Sequence, residues 1–297
     1  MWFNNLIIYQ LNKELDLSNL EQNLAEFKAK KCPKTEFSSY GFTKALGKHK
    51  NATLVHEAAG CYLLAAQKEQ RMLPSSVVKE ELAEKIAEIE ATQMRKVYKK
   101  ERTQLQDDLI QTLLPQAFVR KSKTYAVICP RLQMIIVNST NNNRAEELLN
   151  LLREALGSLP VQPIATKLAP ATKMTKWLSE QAINDDFNLL DECQLQSTDE
   201  AASLVRCKRQ DLLSDEISQH LAAGKIVTQL ALGWQDKLTL VLDDRLNIKR
   251  LRFADILLDE AKKDGAEDEL AELDASFTLM MLTLAEFIPA LLNLFAE

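Results

Sequence analysis

Glycine is scarce in this chain, with seven residues in 297. Gly41, Gly47, Gly60, Gly157, Gly224, Gly233 and Gly265 build neither G-x-x-x-x-G-K-[ST] nor G-x-G-x-x-G. The phosphate-cradling loops of an ATPase or a dinucleotide enzyme are therefore disfavoured. His49, His56 and His220 are the only histidines. No second acid/His pair completes a metal signature, so each is read as an ordinary surface or core residue, and neither metal nor cofactor is expected. The five cysteines are odd in number and far apart, with no C-x-x-C. That excludes a zinc ribbon or a redox pair by sequence pattern and leaves reduced, buried thiols as the expectation. Aromatics make up only 6%, which argues against a single-strand reader that stacks bases. No secretory leader is expected, because Met1 to Asn5 lacks basic residues and the run Leu6 to Tyr9 is too short. Phe277 to Ala296 is the most apolar stretch. Glu286, Pro289 and acidic flanks make it a buried or interface helix rather than a membrane span.

What is present describes a folded chain, 46% hydrophobic and 27% charged, long enough for two compact bodies. Phe3 to Leu11 reads as a strand. A helix capped at Asp16-Leu17-Ser18 runs to about Lys30, and short strands follow around Tyr40, Thr53 to His56, and Cys61 to Met72. This β-α-β-β order predicts a mixed sheet with a helix on one face. From Ser76, as N-cap, one helix is predicted through Arg102, about 40 Å long, with Val78, Leu82, Ile86, Ile89 and Val97 on one stripe. Arg95, Lys99 and Arg102 then fall on the opposite ridge. A second helix, Gln104 to Leu114, folds back and ends on an apolar knot, Leu114, Pro115 and Phe118. Strands at Thr124 to Cys129 and Met134 to Val137 and a helix from Arg144 to Leu156, capped from the polar loop Asn141 to Asn143, apolar at Leu148, Leu149, Leu151 and Leu152 and stopped by Gly157, resume the first body. The proline-rich stretch Leu159 to Ala171 is the expected boundary. Beyond it come a helix around Trp177, strands at Phe187 to Leu190 and Leu204 to Arg209, a helix from Ser214 to Ala223, a three-strand meander from Lys225 to Phe253 and two helices.

Charge is segregated by sign. Residues 95–102 hold Arg95, Lys96, Lys99, Lys100 and Arg102 against one acid, and 120–131 hold Arg120, Lys121, Lys123 and Arg131 with none. Arg206, Lys208 and Arg209 form a third basic cluster, and Arg245, Lys249, Arg250 and Arg252 a fourth, while 259–274 hold eight acids and two lysines. A chain of net charge −5 thus carries four basic patches, two of them on strands where alternate residues share a face. Each patch alone could be a solvated surface. Together they predict a backbone-binding DNA protein with little sequence preference. The acid pairs Asp107-Asp108, Asp185-Asp186 and Asp243-Asp244 could hold Mg²⁺ for a nuclease, but they fall where caps and turns are expected. No G-x-S-x-G elbow surrounds Ser75-Ser76, and nothing in the sequence needs a catalytic explanation.

Several ordered segments resemble one family. They are Trp2-Phe3-x-Asn5-Leu6 with Tyr9, Leu73-Pro74-Ser75, and Leu113-Leu114-Pro115-x-Ala117-Phe118. Leu152-Arg153 through Pro160, Lys208-x-Gln210-Asp211-Leu212, Gly224-Lys225-x-Val227-Thr228 through Trp234, and Lys249-Arg250-Leu251-x-Phe253 continue the series. Order and spacing are similar to the bacterial recombination-associated protein RdgC, nearly end to end. The resemblance implies an α+β, horseshoe-shaped protomer with mixed or antiparallel sheets and an inserted helical-hairpin arm. On that template residues 1–75 with 119–165 form a centre, 76–118 a tip and 166–297 a base. It further implies a ring-shaped homodimer, closed through tip–tip and base–base contacts, that encircles double-stranded DNA. Binding without sequence preference, restraint of RecA-driven strand exchange and a cytoplasmic, nucleoid-associated location follow from the same resemblance, with no membrane and no enzymatic step. Single-stranded DNA is the secondary ligand. Phe118, with Leu114 and Pro115, matches the tip gate. Arg95 and the Arg209-Gln210 pair match positions used either at the gate or on DNA. Lys225 joins the basic residues expected to face DNA. The competing readings are an Mg²⁺-dependent nuclease or repair enzyme using the acid pairs, and a scaffold that binds RecA protein and not DNA.

Overall fold

The computed structural model describes residues 1–47, 52–265 and 268–296. In chain order it begins with β1 (Ile7–Leu11), α1 (Leu20–Glu26), β2 (Ser38–Thr43), β3 (Val55–Ala58) and β4 (Cys61–Met72). The helix α1 is shorter than expected. Its chain leaves helical geometry to run beside β2, where Phe27 O accepts Phe42 N–H and Ala29 N–H reaches Phe42 O. The approach is so close that a Cβ on Gly41 would sit 2.6 Å from Ala29 N, so only glycine fits there. Next come α2 (Ser75–Gln93), α3 (Lys99–Leu113), β5 (Phe118–Cys129), β6 (Met134–Asn138), α4 (Asn142–Leu156) and β7 (Val161–Pro163). The cap and stop read around α4 are present: the Asn141 side chain accepts Arg144 N–H, and Gly157 takes φ 74. The stretch read as a boundary carries β7, which pairs antiparallel with β1.

The helical arm needs a correction. Instead of one helix to Arg102, α2 ends at Gln93, Met94 turns left-handed at φ 52, and α3 starts at Lys99. Side chains hold this break without glycine or proline. The Glu90 carboxylate accepts Val97 N–H at 2.9 Å, and Arg95 binds Glu101 through two N–H···O contacts at 2.5 and 2.6 Å. At 19 residues α2 is roughly 28 Å long. Arg95 and Lys96 lie in the turn, and Lys99 and Arg102 open the second helix, so the three expected ridge residues do not share one helix. Ser75, not Ser76, begins α2, with Pro74 at the cap position. The expected apolar stripe holds in part: Val78 and Leu82 pack on Leu109, flanked by Ile86, Leu105, Ile110 and Leu113, whereas Val97 lies in the turn beyond α2 and drops out of it.

The second half follows its reading closely. It contains α5 (Pro170–Glu180), β8 (Phe187–Gln196), β9 (Leu204–Lys208), α6 (Asp215–Ala222), β10 (Ile226–Trp234), β11 (Leu238–Asp243), β12 (Ile248–Phe253), α7 (Asp255–Asp264) and α8 (Glu269–Asn293). The fold is thus α+β with antiparallel strand pairs. A seven-stranded sheet has the order β2-β4-β5-β6-β1-β7, with β3 on β4, and a five-stranded sheet the order β12-β11-β10-β8-β9.

The chain divides into two compact units. One comprises Met1–Asn23, Lys44–Ala65 and everything from Thr124 on; the other comprises Leu24–Thr43 and Ala66–Lys123. Within the first unit one continuous core joins Phe3, Leu6, Val127 and Ile136 to Trp234, Leu242 and the inner face of α8. Leu6 and Ile248 exchange backbone hydrogen bonds of 2.8 and 2.9 Å, tying β12 to the segment before β1. By length and composition α8 could cross a membrane, but half of its most apolar window is buried within the protein. Phe277, Met280, Leu284, Phe287 and Ile288 all lie in the core, as expected of a buried helix.

Candidate nucleic-acid interface

The edge pair β8–β9 of the five-stranded sheet alternates between its two faces. On β8 and β9 the register Glu192↔Lys208, Cys193↔Cys207 and Gln194↔Arg206 puts the polar pairs on one face and the buried thiols on the other. Arg206 Nε donates to Gln194 Oε1 at 2.9 Å, and Gln194 Nε2 donates to the buried Thr228 Oγ1 at 3.0 Å. On β12, at the opposite edge of the sheet, Arg250 adopts φ 51, and its N–H is held by the Asn5 side chain at 3.1 Å. From there its guanidinium reaches Glu192 Oε1 at 2.6 Å, and Lys208 Nζ lies 3.9 Å from the same oxygen. Bases from both edge strands thus converge on one carboxylate. The Arg250 hydrogen bond, then the charges of Arg250 and Lys208, hold the Glu192 carboxyl below its usual range. Glu192 is not among the residues expected from the sequence, although its place midway along a strand, with two basic strands elsewhere in the chain, is the signal it offers.

Not every expected base joins this group. Lys249 is drawn to the buried Asp243 at 2.9 Å. Asp243 also accepts Arg245 N–H, Asn247 N–H and Asn247 Nδ2, so it staples the β11–β12 turn, the turn role expected of that acid pair. Arg252 and Arg209 are exposed, the latter at φ 53 just past β9. The Gln210 side chain is engaged with Glu216. Lys225 is half-buried, and its N–H caps the end of α6 through His220 O. Of the other acid pairs, Asp107 and Asp108 sit on the exposed side of α3, and Asp186 accepts Gln235 Nε2 at 2.9 Å. His56 lies 2.7 Å from Asp274, and His49 falls outside the described residues. Among the described residues no three His, Cys, Asp or Glu side chains come together as a metal-binding group.

The second unit presents its own basic surface. Arg95 is committed to Glu101, whose hydrogen bond raises the guanidinium pKa and depresses the carboxyl. Lys96, Lys99, Lys100 and Arg102 are exposed around the turn, beside exposed Met94 and Tyr98. Arg120 and Lys123 are exposed on β5, and Lys121 pairs with Glu69 at 2.9 Å.

The apolar knot is built on a residue that sequence patterning does not flag. Arg71, 8% exposed, donates to five carbonyls: Pro33 and Cys32 on one side, Leu114, Pro115 and Ala117 on the other, at 3.1 to 3.4 Å. Its strand neighbour Glu69 accepts Cys32 N–H at 3.0 Å. The Lys121 bond and that N–H hold the Glu69 carboxyl below its ordinary range. The available clue is the change along β4 from the apolar run Leu63 to Ala66 to the polar run Gln67 to Arg71, in which Glu69 and Arg71 share a face. This hub fixes the turn after α3. Leu114 turns inward and is buried, Pro115 is exposed, and Phe118 stands 87% exposed. Phe118 is therefore not a core residue of the single chain.

Comparison with known proteins gives a consistent result. A family model described as "RdgC: Putative exonuclease, RdgC" matches residues 1–297. A protein of Pseudomonas aeruginosa is 56% identical over 293 residues, covering 98% of this chain and 96% of its own length. One from Pseudomonas syringae pv. tomato is 54% identical over 293 residues with the same coverage. One from Pseudomonas fluorescens is 52% identical over 295 residues, covering 99% of this chain and 96% of its own. All three carry the name "Recombination-associated protein RdgC".

Proposed function

The chain belongs to the RdgC family, and from that premise we propose that it binds double-stranded DNA without sequence preference and restrains RecA-dependent recombination by occupying it. The observation that carries this reading is the meeting of Lys208 and Arg250 on Glu192. Two segments 42 residues apart in sequence place their cations on one face, with Arg206 alongside. A lone carboxylate among them keeps the face net positive while orienting the guanidinium. Phosphates of a duplex would replace condensed counterions on such a face, so affinity falls steeply with salt and varies little with base sequence. No base-reading element is required.

The functional form is a homodimeric ring built from horseshoe-shaped protomers. The exposed Phe118, at the end of a turn clamped by Arg71, is the gate residue offered to the partner's tip. DNA meets the basic face of the five-stranded sheet and not the exposed acids of α7 and α8, such as Asp259, Glu260 and Glu269, which reconciles a net charge of −5 with DNA binding. The protein acts in the cytoplasm at the nucleoid, without cofactor or metal and without an enzymatic step. RecA is opposed by competition for the same duplex.

A mobility-shift titration with two unrelated duplexes over a range of salt tests this. Equal affinities and a shared negative slope of log K against log salt are expected. Absence of binding at low salt overturns the reading in favour of a scaffold that contacts RecA protein. Plasmid cleavage in Mg²⁺ that is lost with Asp243→Asn overturns it in favour of a nuclease.

A further inference from the structure

Five cysteines without a C-x-x-C give no reason, by sequence pattern, to look for thiol chemistry. The fold nevertheless pairs four of them across neighbouring strands. Cys193 and Cys207 are register partners on β8 and β9. Cys61 and Cys129, 68 residues apart in sequence, lie on the neighbouring strands β4 and β5 with their sulfurs 2.7 Å apart, the Cys61 thiol donating to Cys129 Sγ. Two reduced thiols rarely lie so close, and a disulfide needs the sulfurs to approach only to about 2.05 Å.

We propose that Cys61 and Cys129 are a peroxide-oxidisable dithiol that closes to a disulfide joining β4 to β5. Three observations support it beyond the short distance. First, the two residues are unlike electronically. The Cys61 hydrogen bond, with help from Leu132 N–H and the Arg131 charge, lowers the pKa of Cys129, while the same hydrogen bond and burial raise that of Cys61. Cys129 is therefore the attacking sulfur and Cys61 the resolving one. Second, both are buried, yet each is next to an exposed turn. Cys61 follows the exposed Ala59 and Gly60, and Cys129 precedes the exposed Pro130 and Arg131. Local opening at strand ends admits a molecule as small as hydrogen peroxide. Third, no cation assists the other pair in this way: burial foremost raises the Cys193 pKa, and the Cys207 and Glu192 neighbours raise it further.

The step balances with a hydroperoxide as oxidant. The Cys129 thiolate attacks one peroxide oxygen and the O–O bond breaks, leaving a sulfenic acid and hydroxide. The hydroxide takes the Cys61 proton and becomes water. The Cys61 thiolate then attacks the Cys129 sulfur, the S–S bond forms, and a second hydroxide leaves to collect the proton Cys129 shed on ionising. Two thiols and one hydrogen peroxide become one disulfide and two waters. The new bond closes a loop through residues 62–128, which contains α2, α3, Phe118 and the Arg71 hub. Oxidation therefore constrains the segment that carries the proposed gate, although the thiol chemistry does not depend on the DNA-binding reading.

The test uses the full-length protein. It is treated with hydrogen peroxide, denatured, alkylated with N-ethylmaleimide and mapped without reduction. Loss of two of the five thiols, a Cys61–Cys129 linked peptide pair and full recovery with dithiothreitol are the expected result. The Cys193→Ala variant should form the same link, and Cys129→Ala should form none. The proposal is overturned by five alkylated thiols after oxidation, by a link between other cysteines, or by Cys129 sulfinic acid without a link. Loss of two thiols in the Cys129→Ala variant also overturns it.

Discussion

Replacing Arg71 with methionine tests the hub beneath the proposed gate. Methionine keeps much of the side-chain volume and removes every donor. Five carbonyls then lose a cationic partner. Hydrogen bonds to a charged group contribute about 1.5–3 kcal/mol each in isolation. They share one guanidinium here and most are long, so the contributions do not add. Removing one member of a buried charged network typically costs about 3–5 kcal/mol. At about 1.4 kcal/mol per factor of ten, local opening of residues 114–118 and 32–36 becomes more frequent by roughly a hundredfold or more. Hydrogen exchange read by mass spectrometry resolves this locally. The Ala117 N–H bonded to Leu114 O and the Glu36 N–H bonded to Pro33 O are suitable reporters. Peptides from α8, in the other compact unit, should exchange as in the parent protein. Arg71→Lys, which restores the charge without the planar fork, should recover only part of the protection. Exchange within about threefold of the parent in both segments, where local opening should rise about a hundredfold, would refute the hub.

Other outcomes follow from the same geometry. Phe118→Ala removes an exposed ring, so stability should change by less than about 0.5 kcal/mol while retention on circular duplex falls; unchanged retention removes Phe118 from any gate. Lys208→Glu with Arg250→Glu should flatten the salt dependence of DNA binding, measured by fluorescence anisotropy, by about one unit of slope for each phosphate no longer neutralised. Glu192→Gln should tighten DNA binding, because it deletes the one carboxylate these cations share; weaker binding would mean that its orienting role outweighs its charge. The Glu69 carboxyl is depressed in the folded chain, so the unfolded chain binds that proton more tightly. Its stabilising contribution is whole above the ordinary glutamate value of about 4.3 and is lost as pH falls through the lower, folded value. Acid should therefore raise exchange at residues 32–36, and Glu69→Gln should remove that pH dependence.

Local patterning reads most of the secondary structure correctly where local causes set it. The α4 helix has its Asn141 cap, apolar stripe and Gly157 stop in sequence, and all three are in the structure. The meander from β10 to β12 has alternating apolar residues and compact polar turns, and it too is present. Patterning fails where specific side-chain contacts, rather than local hydropathy, decide. Periodicity continues through Met94 because no residue there opposes a helix. The break is fixed by Arg95 on Glu101 and Glu90 on Val97, contacts that exist only once the chain has turned. The candidate interface divides in the same way. Basic runs at 206–209 and 245–252 are visible as charge, and strand alternation puts Arg206 with Lys208 and Arg250 with Arg252. That Lys208 and Arg250 meet on Glu192 requires the strand order β12-β11-β10-β8-β9 and the left-handed Arg250, neither of which a hydropathy pattern encodes. Lys249 shows the converse. Its charge counts toward the patch, but a buried carboxylate holds it at a turn. Cys61 and Cys129 are invisible as a pair for the same reason, since only strand pairing brings together residues 68 positions apart.

Encirclement of duplex DNA makes one demand that ordinary groove binding does not. Protein loaded at low salt onto a covalently closed plasmid and onto the same plasmid linearised can be washed through rising salt, and the bound fraction followed on each. A closed ring stays on the circle at salt that strips the linear form, and cutting the circle releases it. Equal loss from circle and line would contradict encirclement.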